Sequence, residues 1–219
     1  MSINDVNNDL KSYIETNILP LYRLNDEGHQ FGHIISVINR SFEIAKDIDN
    51  LNADIIYTAA AFHDIGSHID RANHHIESGK ILMKDEYINS YFNEEELNII
   101  REAIEDHRAS LKSSPRNIYG KILSSADRPI DIDDFIYRAY MAAKRNNCYK
   151  NNGIKSNHPL SKEELIEAVY DHLIDKFGNN GYAKVYFTDE KYNEFMRITQ
   201  ELINDKEKYL KRVKNIINL

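Results

Sequence analysis

The stretch AAAFHDIGSH, residues 59–68, decides how the rest of the chain is interpreted. It closes a segment, IIYTAAAFHD, with apolar residues on nearly every face of a helix, which is typical of a helix buried on all sides. Such a helix brings its last two residues, His63 and Asp64, into the interior or into a cleft that leads there. Burial of an imidazole and a carboxylate is unfavourable unless both find partners, so the first question is what these side chains bind.

The composition excludes several classes of protein. The chain has 219 residues, 42% of them hydrophobic, which is enough for one sizeable core or for a core domain with a helical appendage. A net charge of −7 argues against a nucleic-acid polymer or a membrane surface as partner. The single cysteine excludes an internal disulfide framework. We find neither a signal peptide nor an apolar stretch long enough for a membrane span, and we therefore expect a soluble, cytoplasmic protein.

Helical periodicity and the scarcity of Gly and Pro predict an all-α fold. Asn93 and Ser161 each precede a helical segment as a cap, and Glu164 gives Ser161 the capping-box spacing. Gly66 stands at a position suited to the end of the buried helix. The predicted helices span residues 5–18, 31–48, 52–65, 73–84, 94–110, 116–126, 131–145, 161–177 and 189–217.

The segment RNNCYKNNGIKSNHP, residues 145–159, is polar and rich in Asn, and we interpret it as a linker or mobile loop. It follows a predicted helical domain at residues 1–145. The remaining residues, 146–219, are expected to form a C-terminal helical extension that packs on the same core. FGNNGYAKVYF, residues 177–187, is the only stretch with strand or hairpin character, and a loop is the alternative.

Further His and Asp residues fall on surfaces that face the predicted interior. His33 and His107 lie on the apolar faces of their helices, and Asp127 ends another mostly apolar run. Taken alone, a core histidine is usually structural, and an aspartate before Arg-Pro is usually a cap or turn residue. Together with His63 and Asp64, however, these groups come from four helices of one small domain. Mixed imidazole and carboxylate ligands directed to one place favour a divalent metal site.

Four of these residues, with the sequence around them, resemble the HD superfamily of metal-dependent phosphohydrolases: His33, His63, Asp64 and Asp127. The resemblance covers roughly residues 20–140 and rests on AAAFHDIG, on GHIISVINRSFEIA upstream and on ILSSADR downstream. It implies an all-α bundle in which these four residues ligate a divalent metal. Mn²⁺, Fe²⁺, Mg²⁺, Ni²⁺ and Zn²⁺ all fit such a ligand set.

Two further histidines match the variant of the family that holds two metal ions. His74, in HHIESGKIL, and His107, in IEDHRAS, occupy the order and neighbourhood of the additional ligands, and Asp64 would then bridge the ions. His75 is the alternative to His74, and both one ion and two remain open. The sequence RASLKSSPR after His107 lacks the Gly-Tyr-Pro extension of the cyclic-dinucleotide branch, which argues against that branch.

The resemblance predicts hydrolysis of a small phosphorylated substrate, such as a nucleotide, in which Asp64 takes part in catalysis. His68 and Asp70, just after the His63–Asp64 pair, are candidates to transfer protons or to orient a metal-bound water, and the alternative is that both are surface loop residues. From His107 to Arg128 the chain has five basic residues and one acidic residue, and this local positive charge would hold an anionic substrate. A solvated helix face is the alternative. The predicted substrate-binding residues are Arg108, Lys112, Arg116 and Arg128. Of these, Arg108 and Arg128 would also stabilise the charge that develops in catalysis.

Two other classes of function compete with this enzyme. One is a non-catalytic HD-type module that senses a metal or a nucleotide, and the other is a helical scaffold with incidental histidines. A homodimer is compatible with each of them. Outside the motif region, we expect His158 and His172 to be exposed, and we interpret His29 as structural or as the support of a ligand.

Overall fold

The computed structural model describes residues 1–25, 31–148 and 155–217. These residues confirm the all-α fold, because helices account for the regular structure and no β-strand forms among them. The stretch at 177–187 continues from a helix end into a loop. The α-helices are α1 (Asn8–Tyr13), α2 (Phe31–Ala45), α3 (Ala53–Phe62), α4 (His74–Lys84), α5 (Glu86–Tyr91), α6 (Glu94–Asp106), α7 (Ile118–Ala126), α8 (Ile132–Asn146), α9 (Lys162–Phe177), α10 (Glu190–Asn204) and α11 (Lys206–Ile216).

Two predicted helices are interrupted in the structure. The first predicted helix contains α1 and a π-helical turn at Ile14–Ile18, and a 3-10 helix follows at Leu19–Leu24. The last predicted helix is divided into α10 and α11 by Asp205, whose carboxylate caps α11 by accepting the Lys208 amide. Helix α5 was not predicted. The caps at Asn93 and Ser161 are confirmed, and both are complete capping boxes.

The prediction that Gly66 caps the buried helix is wrong. Helix α3 ends at Phe62, and Gly66 lies in the 3-10 turn Ile65–His68 that follows. A Cβ atom on Gly66 would lie 2.7 Å from both the Cβ atom of Glu77 and the amide nitrogen of Ser78. The glycine is therefore required because α4 packs closely against this turn, and its amide donates to the Ser78 hydroxyl at 3.0 Å.

The chain forms two compact units. The first comprises Met1–Arg128 and Val185–Thr188, and the second comprises Pro129–Lys184 and Asp189–Leu219. The long stretch of the first unit ends at Arg128, and the expected boundary at residue 145 stays a prediction. Packing of the C-terminal residues on the same core stays a prediction. Much of the expected linker, residues 149–154, lies outside the described residues.

Helix α3 forms the centre of the first unit. Every residue from Ile55 to Phe62 is buried, and α2, α4, α6 and α7 all pack against this helix. His63 and Asp64 follow at its end and are only 0% and 3% exposed. The expectation that an apolar helix brings this pair into the interior is confirmed.

In the second unit, α8 to α11 pack around an aromatic core that includes Phe135, Phe177 and Phe195. The expectation that His172 is exposed is wrong, because this imidazole is buried and stacks on Phe135 with ring centroids 5.5 Å apart. His158 is exposed, as expected. In the described part of the chain, no helix is both long and apolar enough to cross a membrane.

Candidate metal centre

Six side chains predicted as metal ligands meet beyond the end of α3. Most of them stand at helix ends, where a side chain can project past its own backbone. His63, His107 and Asp127 are the C-caps of α3, α6 and α7, Asp64 follows His63, and His74 opens α4. The remaining ligand lies in the first turn of α2. The six residues are His33, His63, Asp64, His74, His107 and Asp127.

Asp64 lies between two sets of imidazoles. Its Oδ2 atom is 3.5 Å from Nε2 of His63 and 3.8 Å from Nε2 of His33. Its other oxygen, Oδ1, is 3.2 Å from Nε2 of His74 and 3.6 Å from Nε2 of His107. The two oxygens of one carboxylate therefore face two separate groups of nitrogen donors.

Asp127 completes the first of these groups. Its Oδ1 atom lies 3.2 Å from Nε2 of His33 and 3.9 Å from Nε2 of His63. Burial raises the pKa of the Asp127 carboxyl, but the hydrogen bond from His33 and the neighbouring positive charges outweigh this effect and hold the pKa well below its usual range. Asp127 is therefore a carboxylate at neutral pH, which is the form that binds a metal.

The hydrogen bonds of three histidines fix their tautomers. The Nδ1 atoms of His63, His74 and His107 lie 2.8, 3.0 and 2.6 Å from the backbone carbonyl oxygen three residues earlier. A carbonyl oxygen can only accept, so each Nδ1 carries the hydrogen, and in a neutral ring Nε2 then presents its lone pair. A metal-ligating histidine characteristically donates its other ring N–H in this way.

The protonation state agrees with a ligand role. Burial lowers the pKa of His63 to about 4, although Asp64 opposes the shift. Burial, and then the neighbouring His107, lower the pKa of His74 to about 4. Both rings are neutral at pH 7. The buried Nε2 atom of His63 has no hydrogen-bond partner among the described residues, and such an atom is expected where a metal is to be bound.

Two groups could therefore hold a metal ion: His33 with His63 and Asp64, and Asp64 with His74 and His107. Within each group the ligand atoms all lie within 4.8 Å of one another. The structure also favours His74 over His75, the alternative that the sequence left open, since His74 is the ring that faces Asp64.

Two buried arginines support the centre, and sequence reasoning missed one of them. Arg128 donates from Nη2 to the carbonyl oxygen of His107 at 2.7 Å, and its Nη1 atom lies 3.5 Å from Oδ2 of Asp127. Arg40 donates to the carbonyl oxygens of Ala126 and Arg128, which flank Asp127. Arg40 could have been recognised in the sequence, because it is a basic residue within the apolar face of α2, two turns after His33.

The other predicted site residues have different surroundings. Arg108 is half-buried and donates to the carbonyl oxygen of Ala72 at 3.0 Å, close to the start of α4. Lys112 is exposed. Arg116 binds the carboxylates of Asp106 and Glu105, which balance its charge.

His68 is exposed, and its side chain forms no hydrogen bond or ion pair within the described part of the chain. Its role in proton transfer stays a prediction, as do the substrate contacts of Lys112 and Arg116. His29 lies outside the described residues, and its expected supporting role stays a prediction as well.

Residues 31–129 match the model of the HD domain family, which identifies this part of the chain as an HD domain. All six residues of the cluster fall within the match. The match agrees with the metal-dependent phosphohydrolase superfamily that the sequence resembles. Comparison with curated proteins and with solved structures gave no match.

Proposed function

We propose that this protein is a metal-dependent phosphohydrolase that acts on a nucleotide or another small phosphorylated metabolite. The observation that carries the proposal is the position of Asp64, whose two oxygens each face imidazole Nε2 atoms within an HD domain. This arrangement is suited to a pair of cations that share one carboxylate. A structural histidine cluster does not explain this geometry, because the Nε2 atoms of the neutral His63 and His74 rings carry no hydrogen to donate to the carboxylate.

The donor set fits divalent transition metals. His33, His63 and Asp127 would hold one ion and His74 and His107 the other, with Asp64 shared between them. When bound, a divalent cation supplies a Lewis acid that acidifies water and neutralises negative charge on phosphoryl oxygens. Imidazole suits Fe²⁺, Ni²⁺ and Zn²⁺, whereas the carboxylates also admit Mn²⁺ and Mg²⁺.

Arg108 is the best candidate to bind the substrate. It directly follows the ligand His107, and its hydrogen bond to Ala72 holds the guanidinium beside the residues that lead into His74. A guanidinium forms bidentate hydrogen bonds with phosphate oxygens, and it keeps its charge at every physiological pH. Arg108 would thus hold the phosphoryl group next to the metal centre and stabilise the charge that develops on it.

The sequence predicted that Arg128 contacts the substrate, whereas the proposal gives this residue a supporting role. Its side chain is 2% exposed and bonded to His107 and Ser124, so contact with a substrate would require it to leave these partners. In the proposed enzyme, Arg128 holds His107 and Asp127 in place. It acts on the reaction through these two ligands.

The experiment that tests the function measures release of phosphate and pyrophosphate from a panel of nucleotides and phosphoesters, with Mn²⁺ and with chelator. We expect metal-dependent release by the wild type, loss of release in Asp64→Asn, and normal release in Asp175→Asn, an exposed aspartate of the second unit. Equal turnover in Asp64→Asn and the wild type would contradict the proposal. Metal binding without release from any compound would instead favour the sensor module.

A further inference from the structure

Helix α3 ends just before the His63–Asp64 pair that it brings into the interior, and its pattern of backbone hydrogen bonds is interrupted there. In a continuous α-helix, the amide of Asp64 would donate to the carbonyl of Ala60, and the carbonyl of Ala61 would accept the amide of Ile65. Here α3 ends at Phe62, and the Ala60 carbonyl accepts a hydrogen bond from the His63 ring. The groups released by this break are buried and need other partners.

The hydroxyl of Tyr22 is the partner of two of these released backbone groups. It accepts a hydrogen bond from the Asp64 amide at 3.2 Å and donates to the Ala61 carbonyl at 2.9 Å. One side-chain oxygen therefore takes the place of two helical partners. Tyr22 is 0% exposed, so its ring is held by packing and the position of its hydroxyl is defined.

A second side chain from the same segment binds the other side of Asp64. The amide nitrogen Nδ2 of Asn25, itself buried, donates to the Asp64 carbonyl at 3.0 Å. Both the N–H and the C=O of Asp64 are thus bonded to residues of the N-terminal segment. Tyr22 and Asn25 precede the part of the chain that matches the HD domain family, residues 31–129.

The backbone of Asp64 has to be held in place because the two oxygens of its side chain face two different groups of imidazoles. Its backbone angles, φ −115° and ψ 7°, belong to neither helix nor strand, so regular structure does not fix the residue. A rotation of this backbone would move Oδ1 and Oδ2 together and would misplace both relative to the imidazoles of His63 and His74. Precise orientation of a ligand by groups outside the ligand set is a general requirement of metal sites.

We infer that Tyr22 is a positioning residue of the metal centre, which orients the shared carboxylate of Asp64 by holding its backbone through the broken end of α3. Asn25 acts with it. The inference rests on the proposed function in one respect, that Asp64 binds metal. It extends that function to a segment that lies outside the family match.

The test compares two substitutions that each remove one buried tyrosine hydroxyl. Tyr22→Phe removes the hydroxyl beside Asp64. Tyr209→Phe is the matched control, since Tyr209 is also 0% exposed and donates to a backbone carbonyl, that of Ile166, in the second unit. Affinity for Mn²⁺ and Zn²⁺ is measured by titration calorimetry on chelator-stripped protein, and the Tm of each variant is recorded without metal. Hydrogen exchange of the Asp64 amide is followed in parallel.

We expect Tyr22→Phe to weaken metal binding about tenfold and to speed exchange of the Asp64 amide. Tyr209→Phe should lower the Tm and leave metal affinity unchanged. Equal metal affinity in Tyr22→Phe and the wild type, or an equal loss in both variants, would overturn the inference. If Tyr22→Phe does not fold, Asn25→Ala tests the support of the same backbone at the Asp64 carbonyl, with the same expected loss of affinity. Failure of the wild type to bind either metal would overturn the proposed function itself, so the two failures are distinguishable.

Discussion

The Nε2 atoms of His74 and His107 lie 3.3 Å apart. Both rings carry their hydrogen on Nδ1, which donates to a backbone carbonyl, so the two Nε2 lone pairs face each other. This contact is repulsive in the absence of a cation, and burial keeps the ring of His74 neutral at pH 7. The fold therefore holds the two nitrogens in an arrangement that a metal ion would stabilise.

Metal binding should raise the thermal stability of this protein. A ligand that binds only the folded state at a hundred times its Kd contributes about 2.7 kcal/mol. For a chain of this size, that corresponds to an increase in Tm of roughly 5–10 °C. Calorimetry with Mn²⁺ or Zn²⁺ and with excess chelator measures the effect, and an identical Tm under both conditions would contradict the metal centre.

Adjacent histidines offer a matched test of the second group of ligands. His74→Gln should lower the metal content and the metal-dependent turnover, because it removes the ring that faces Oδ1 of Asp64. His75→Gln should change neither, since the neighbouring ring does not face Asp64. Metal analysis of the purified variants, together with phosphate release, measures both effects. The assignment of His74 fails if His75→Gln causes the larger loss.

Arg128→Met should destabilise the folded protein by about 3 kcal/mol. The substitution leaves the Asp127 carboxylate without its neighbouring cation, and breaking a buried ion pair has a cost of this order. Arg197→Met, which removes an exposed pair with Glu194, should change the free energy of unfolding far less. Urea denaturation measures both values, and a small change at Arg128 would argue against its supporting role.

Arg108→Gln should raise the KM for a phosphorylated substrate by about tenfold or more and leave the metal content unchanged. The substitution removes a charge-assisted hydrogen bond to phosphate, which is worth roughly 1.5–3 kcal/mol. Arg145→Gln, at an exposed position of α8, provides the control. Steady-state kinetics distinguish the outcomes, since a loss of kcat at constant KM would give Arg108 a role in the chemical step alone.

His172 should make the stability of the second unit depend on pH. Burial, and then the neighbouring Lys176, lower the pKa of His172 from 6.5 to about 3. The unfolded chain therefore takes up a proton below pH 6.5 while the folded chain does not, and stability falls as the pH falls from 6.5 toward 3.

This loss amounts to about 2 kcal/mol between pH 6.5 and pH 5. In His172→Phe the contribution is absent, so the free energies of unfolding of the two proteins should diverge with acidification. Urea titrations at pH 7.5, 6 and 5 measure the difference, with the exposed His158→Gln as control. Parallel curves for His172→Phe and the wild type would contradict the role of burial.

Local sequence alone predicted the all-α fold, and together with the family resemblance it predicted the six residues of the candidate metal centre. Helical periodicity and capping residues such as Ser161 depend on neighbours a few positions away, and such short-range preferences can be recognised along the chain. The apolar run that ends in His63 and Asp64 also predicted where the pair would lie, since an apolar helix has to be buried. The resemblance to the HD superfamily then identified the remaining ligands, which periodicity alone would not have distinguished from structural histidines.

Only the tertiary structure decided what surrounds those ligands. Arg128 could be recognised as a cation beside Asp127, but its bond to the carbonyl of His107 depends on how α6 and α7 pack. Likewise, Gly66 was expected to cap a helix, whereas close packing of α4 is what requires it. Tyr22 carries no signal of its role, because the atoms that it bonds lie 39 and 42 positions further along the chain. Contacts over such separations are set by the packing of side chains in the folded protein, and local preferences do not encode them.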